Sequence, residues 1–147
     1  MRYYAIESEF GIDNLKLLER DVPKPGHGKV LVRMRAASVN YRDLLVISGK
    51  YSPNLPFPLI PFSDGAGEVV EIGDGVSRWK PGDRVAGTFF QEWLGGKISE
   101  TAARSALGGA IDGVLAEFVV FREDGLVVDL TVKVDKGEGV PPVVEGW

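Results

Sequence analysis

The sequence predicts a mainly β fold, a barrel with a few short helices, on three observations. Its 19 glycines and 9 prolines recur at short spacing and cut the 147 residues into many short pieces, as tight turns between strands require. Several of those pieces alternate apolar and polar residues, the period of a half-buried strand. Only two stretches carry helix start and stop signals. At this length the chain is large enough for one domain with its own hydrophobic core.

In chain order, strands are expected at residues 2–6 and 15–19. Residues 29–35 alternate most clearly, with Val30, Val32 and Met34 on one face and Arg33 and Arg35 on the other. The turn before them is Pro25-Gly26-His27-Gly28. A first helix is expected over 40–48, with Asn40 as N-cap, Leu44, Leu45, Val46 and Ile47 as its apolar content, and Gly49 closing it. Strands follow at 67–72 and 83–86, the second preceded by the turn Lys80-Pro81-Gly82-Asp83. There Pro presets φ and Gly accepts a positive one. A second helix is expected over 99–107, capped by Ser99 and ended by Gly108-Gly109. Strands at 115–121 and 126–128 complete the barrel, and residues 129–135 alternate as one more strand.

Composition narrows the function. A net charge of −4, spread along the chain, argues against nucleic acid as a partner. No apolar run approaches the length of a membrane span. Glu7 stands where a signal peptide needs apolar residues, so a cytoplasmic location is expected. The absence of cysteine excludes disulfides and thiolate metal sites. A dinucleotide site needs a glycine-rich turn between a strand and a helix, so that the pyrophosphate meets the helix N-terminus. Gly65-Ala66-Gly67 runs into a strand instead. Gly73-Asp74-Gly75 and Gly108-Gly109 run into loops. No Rossmann unit is legible.

Four separated motifs carry a resemblance. Asp64-Gly65-Ala66-Gly67-Glu68-Val69-Val70-Glu71-Ile72-Gly73, with Val76 and Lys80-Pro81-Gly82-Asp83-Arg84-Val85, resembles the signature of medium-chain dehydrogenases/reductases. Pro23-x-Pro25-Gly26 with Val30-Leu31-Val32-Arg33, the run Ala36-Ala37-Ser38-Val39-Asn40-Tyr41-Arg42-Asp43, and Gly49-Lys50-Tyr51 are similar to its quinone-oxidoreductase-like branch. The resemblance covers about residues 1–128. It implies a GroES-like catalytic domain, a partly open β-barrel with short helices, and an atypical C-terminal strand and tail at 129–147.

The resemblance also implies a chemistry. Zinc-dependent members place a Cys where Asn40 stands and a His-Glu pair where Ser63-Asp64 stands, and carry a four-Cys lobe in the region of residues 89–113. With no Cys and a lone, turn-borne His27, zinc ligation is not expected. Asn40 and Tyr51 are the implied catalytic groups, with Arg42 and Asp43 as further candidates. Asn40 and Tyr41 are the implied contacts to an NAD(P) cofactor. On the residues alone Asn40 is equally a helix cap, Tyr51 a rim aromatic, and Arg42-Asp43 a surface pair. Leu45 stands where part of the branch has a second cleft tyrosine, which argues against a true quinone substrate. Phe89-Phe90-Gln91-Glu92-Trp93-Leu94 reads as an apolar wall or lid, or as plain packing.

The expected function is therefore the substrate-side domain of a zinc-independent, NAD(P)-dependent oxidoreductase acting on an alcohol, carbonyl or enone. It is expected to be inactive alone for want of a Rossmann partner domain. An uncovered interdomain face of Leu44, Leu45, Tyr51, Phe57, Phe62, Phe89, Phe90 and Trp93 predicts a homo-oligomer. The alternative is an engineered minimal barrel scaffold or self-associating module without catalysis.

Overall fold

Strands form where the alternation predicts them. The computed structural model describes residues 1–52 and 54–128, so the expected strand at 129–135 and the tail to 147 lie outside the described residues. Arg2–Ile6 (β1) and Leu15–Glu19 (β2) pair antiparallel, from Arg2 opposite Glu19 to Ile6 opposite Leu15. Lys29–Ser38 (β3), Asp64–Ile72 (β4), Arg84–Gly87 (β5), Phe118–Arg122 (β6) and Leu126–Val128 (β7) build a second sheet. It is antiparallel throughout, in the order β6-β3-β4-β5-β7.

The two edge strands of that sheet, β6 and β7, are consecutive in sequence. Only the 3-10 turn Glu123–Gly125 separates them. A sheet whose opposite ends share so short a link has to curl toward closure. The described strands do not pair β6 with β7, so the result is a partly open barrel. The buried Gln91 amide bridges the corner. Its Nε2 donates to Gly125 O at 2.9 Å and Thr88 O at 3.0 Å, and its Oε1 accepts from Arg122 N at 3.2 Å. The core fills the concave side, with Val30, Val32, Val69, Val85, Phe121 and Leu126 drawn from all five strands. Each such burial contributes about 1.5–3 kcal/mol.

Three expectations change on inspection of the long-range pairing. β3 and β4 extend further than alternation alone indicates, because Ala36, Ala37 and Ser38 pair with Ala66, Gly65 and Asp64. The glycines permit this approach: a Cβ on Gly67 would overlap the backbone of Arg33. β6 starts later than expected, because Leu115 and Glu117 bond across to Tyr4 and Arg2 of β1. The second helix (α2, Glu100–Ala103) is four residues long rather than nine. Its Ser99 cap accepts from Ala102 N at 3.1 Å. Beyond Ala103 the chain is taken by bridges from Ala106 to Phe90 and from Leu107 to Ile111. The first helix (α1, Tyr41–Ile47) forms as expected after Asn40. No helix among the described residues is long and apolar enough to cross a membrane.

Phe62 requires a correction. It was expected on the exposed face, but it is buried in the core at 8% exposure, because Val114 N donates to its carbonyl at 2.9 Å and folds the 107–114 loop over it.

Candidate functional site

The β3–β4 ladder sets the site. Its last pair places Asp64 opposite Ser38, and the chain leaves β3 directly into Asn40 and α1. Asn40 is extended (φ −113°, ψ 156°) and acts as N-cap. Its backbone N–H donates to Asp43 Oδ2 at 2.8 Å, the acidic half of a capping box. Its side chain is directed elsewhere: Nδ2 donates to Asp64 Oδ2 at 2.7 Å. The same Asp64 oxygen accepts the hydroxyl of the buried Ser63. An ionised carboxylate only accepts, so Asp64 fixes which end of the Asn40 amide faces it. Phe62, immediately upstream, holds a left-handed φ of 73°, a strain that burial sustains and that occurs often beside functional groups.

Asp43 and Arg42 are not the surface pair that their sequence allows. Asp43 is fully buried, and its Oδ1 has no hydrogen-bond partner. Burial, with the nearby Asp64 charge, raises its pKa above the ordinary carboxylate value, outweighing the Asn40 and Ser63 N–H groups and the neighbouring Arg42 charge. Arg42 turns inward. Its guanidinium lies 4.5 Å from the Tyr51 ring and 4.7 Å from the Phe89 ring, and Nη1 donates to Leu107 O at 3.1 Å. Tyr51 is half exposed and Tyr41 76% exposed. The first turn of α1 thus gathers two groups: Asn40 with Asp43, Ser63 and Asp64, and Arg42 with Tyr51 and Phe89.

The alcohol dehydrogenase GroES-like domain matches residues 26–131. The chain belongs to that family. A zinc-type alcohol dehydrogenase-like protein of Schizosaccharomyces pombe is 41% identical over 128 residues, 86% of this chain and 37% of that protein. A chloroplastic quinone oxidoreductase of Triphysaria versicolor is 35% identical over 135 residues, 81% of this chain and 41% of its own length. The cobalt- and zinc-bound structure of a thermostable alcohol dehydrogenase from Pyrobaculum aerophilum superposes with a TM-score of 0.76 at 34% identity, over 87% of this chain and 41% of that one. The chain therefore spans about two-fifths of the length of these relatives.

Within this GroES-like domain, positions 40, 63 and 64 come together as one hydrogen-bonded cluster. Sequence reasoning had considered Ser63 and Asp64 only as replacements for metal ligands. Their shared role in the zinc-dependent members was the signal that they would meet Asn40. Among the described residues no group of three or more His, Asp or Glu side chains could hold a metal ion. The aromatic segment divides: Phe89 covers Arg42, Phe90 lines the pocket beside Tyr51, and Trp93 and Leu94 are exposed. Phe90 stacks edge-on against both Phe89 (4.6 Å) and Trp93 (6.0 Å).

Proposed function

We propose that this chain is the substrate-side domain of a zinc-independent, NAD(P)-dependent oxidoreductase acting on an alcohol, carbonyl or enone. The observation that carries the proposal is the Asn40–Ser63–Asp64 cluster. At the positions that hold Cys, His and Glu in zinc-dependent members, this chain has an amide, a hydroxyl and one carboxylate bonded to one another. That donor set suits zinc poorly. The sole histidine, His27, cannot complete it, because it precedes the ten-residue β3 while Asn40 follows it. At about 3.3 Å per residue, the two are on the order of 30 Å apart.

Without a metal, the oxygen of the reacting carbonyl needs a fixed donor as negative charge develops on it. Asn40 is suited to this. Asp64 holds one N–H of its amide, which leaves the second to serve as that donor. Tyr51, half exposed with its ring braced on Arg42, is suited to supply a proton to that oxygen. When bound, NAD(P)H supplies the hydride. The described residues fit only its nicotinamide end, through Asn40 and the exposed Tyr41. Neither α1 nor α2 follows a glycine-rich turn, so its pyrophosphate has to be held by another domain.

The isolated chain is accordingly expected to bind NADPH no tighter than millimolar by calorimetry and to reduce no carbonyl. Fused to the nucleotide-binding half of the Schizosaccharomyces pombe relative, it is expected to oxidise NADPH in the presence of an enone and to keep that activity after chelator treatment. Asn40→Ala should then lower kcat about 100-fold, the scale of losing one oxyanion donor. Abolition by chelator, or an undiminished Asn40→Ala enzyme, would refute the assignment.

A further inference from the structure

We propose that the pocket beside Tyr51 receives a carboxylate on the substrate, so that the preferred substrate is an oxo acid or an enoic acid. The inference rests on the reading above in treating that pocket as facing the substrate. The pocket measures about 650 Å³, and its lining includes Arg42, Tyr51, Asn54, Leu55, Phe90 and Arg104. Among the described residues two arginines border it and no Asp or Glu does.

Arg42 is the unexplained group. Its Nη1 donates to Leu107 O, but Nε and Nη2 are buried with no hydrogen-bond partner. A guanidinium presents its donors as a planar fork, and a buried fork left half empty is unfavourable unless an acceptor fills it. Gly109 lets the backbone pack against that fork, since a Cβ there would overlap Arg42 Nη2. The Tyr51 ring covers the guanidinium from the solvent side and is itself half exposed. The proposal requires the Tyr51 ring to move off Arg42 when a carboxylate reaches these donors. Arg104 faces the same pocket. Its partner is Glu100, 3.7 Å away at the start of α2, which Arg104 caps at its C-terminus, with both side chains in solvent, so that pairing is weak and screened.

Carboxylate geometry matches the fork of Arg42, while Leu55 and Phe90 offer an apolar wall to the body of the ligand. Arg42 lies two residues from Asn40. On the reading above, an acid anchored there carries the conjugated carbonyl or alkene that is reduced.

Benzoate and its neutral isostere benzamide test the proposal on the 147-residue chain alone, by calorimetry and by the NMR signal of Arg42 Nε–H. Benzoate should bind saturably in the millimolar range, move that signal, and exceed benzamide about tenfold, the scale of a charge-assisted contact. Arg42→Lys keeps the charge but loses the fork, and should weaken benzoate about tenfold. Arg104→Gln, a surface change that spares the fold, should weaken it about threefold. Equal affinity for the two probes, or benzoate binding unchanged in both variants, would overturn the proposal. No nucleotide is present in this experiment. A failure here removes the acid preference and leaves hydride transfer standing, whereas a failure of the fused enzyme leaves the binding result untouched.

Discussion

Asp43 has one oxygen on the Asn40 N–H and the other buried without a partner. Burial is the largest influence on its carboxyl and raises its pKa above the ordinary 3.8. The folded state therefore holds this proton more tightly than the unfolded chain. Its stabilising contribution is complete below pH 3.8 and is lost as pH rises through the elevated folded value. Asp43→Asn keeps an oxygen for the Asn40 N–H and removes the titration. Urea unfolding between pH 4 and pH 8 should show the parent losing stability relative to Asp43→Asn as pH rises. Parallel profiles would show that the buried carboxyl is not protonated more readily when folded. This residue also marks a limit of what the sequence reveals. Asn40 as a helix cap was legible from local pattern, because capping involves only the next three residues. The inward turn of Arg42 was not, because it depends on Phe89 and the 107–109 loop, far along the chain.

At the scale of elements, strands set by alternation were legible nearly to the residue: β1, β2 and β7 match their expected bounds. Elements whose ends depend on distant partners were not. α2 is the clearest case, since helix propensity favours residues 104–107 but the Phe89 carbonyl takes the Leu107 N–H and the Gln91 N–H takes the Ser105 carbonyl. The corner between β6 and β7 is a second. Its closure relies on the side chain of Gln91, and a lone Gln in an aromatic run gives no sign of that role. Gly125 is matched to it, because a Cβ there would overlap the Gln91 amide. Gln91→Ala would strand the carbonyl of Thr88 and the N–H of Arg122, while the Gly125 carbonyl keeps the Thr88 N–H, and should cost about 2 kcal/mol in urea unfolding. Gln91→Glu should cost at least as much, since a carboxylate would face the carbonyls of Thr88 and Gly125 with no proton to donate. A loss below about 0.5 kcal/mol in both, the range of an ordinary surface change, would show that the corner holds without the bridge.

For the whole molecule, the fold was legible because turns and alternation are local. The candidate site was legible only in pieces, since Asn40 and Asp64 meet through the β3–β4 ladder and Tyr51 reaches Arg42 only by the path of the chain after α1. Apolar side chains of α1 and of the segment that follows it are also exposed. Tyr41, Leu44, Tyr51 and Phe57 are between 37% and 76% exposed, while Leu45, Phe89 and Phe90 are half-buried. In a two-domain oxidoreductase such a face would be covered by a contact of about 600–1,500 Å², and a monomer seldom leaves an apolar patch of that size in water. At about 25 cal/mol per Å², re-covering even part of it favours association by several kcal/mol. The isolated chain is therefore expected to self-associate through α1 and the segment around Phe57. Sedimentation near 100 μM should show a dimer or larger species, both in the full chain and in a form ending at Val128. Leu44→Glu should return it toward monomer, because the side chain is solvent-exposed in the free domain and its charge would be desolvated only on association. A monomer at every concentration, with no binding of a hydrophobic dye, would show that the exposed side chains are too scattered to act as one surface.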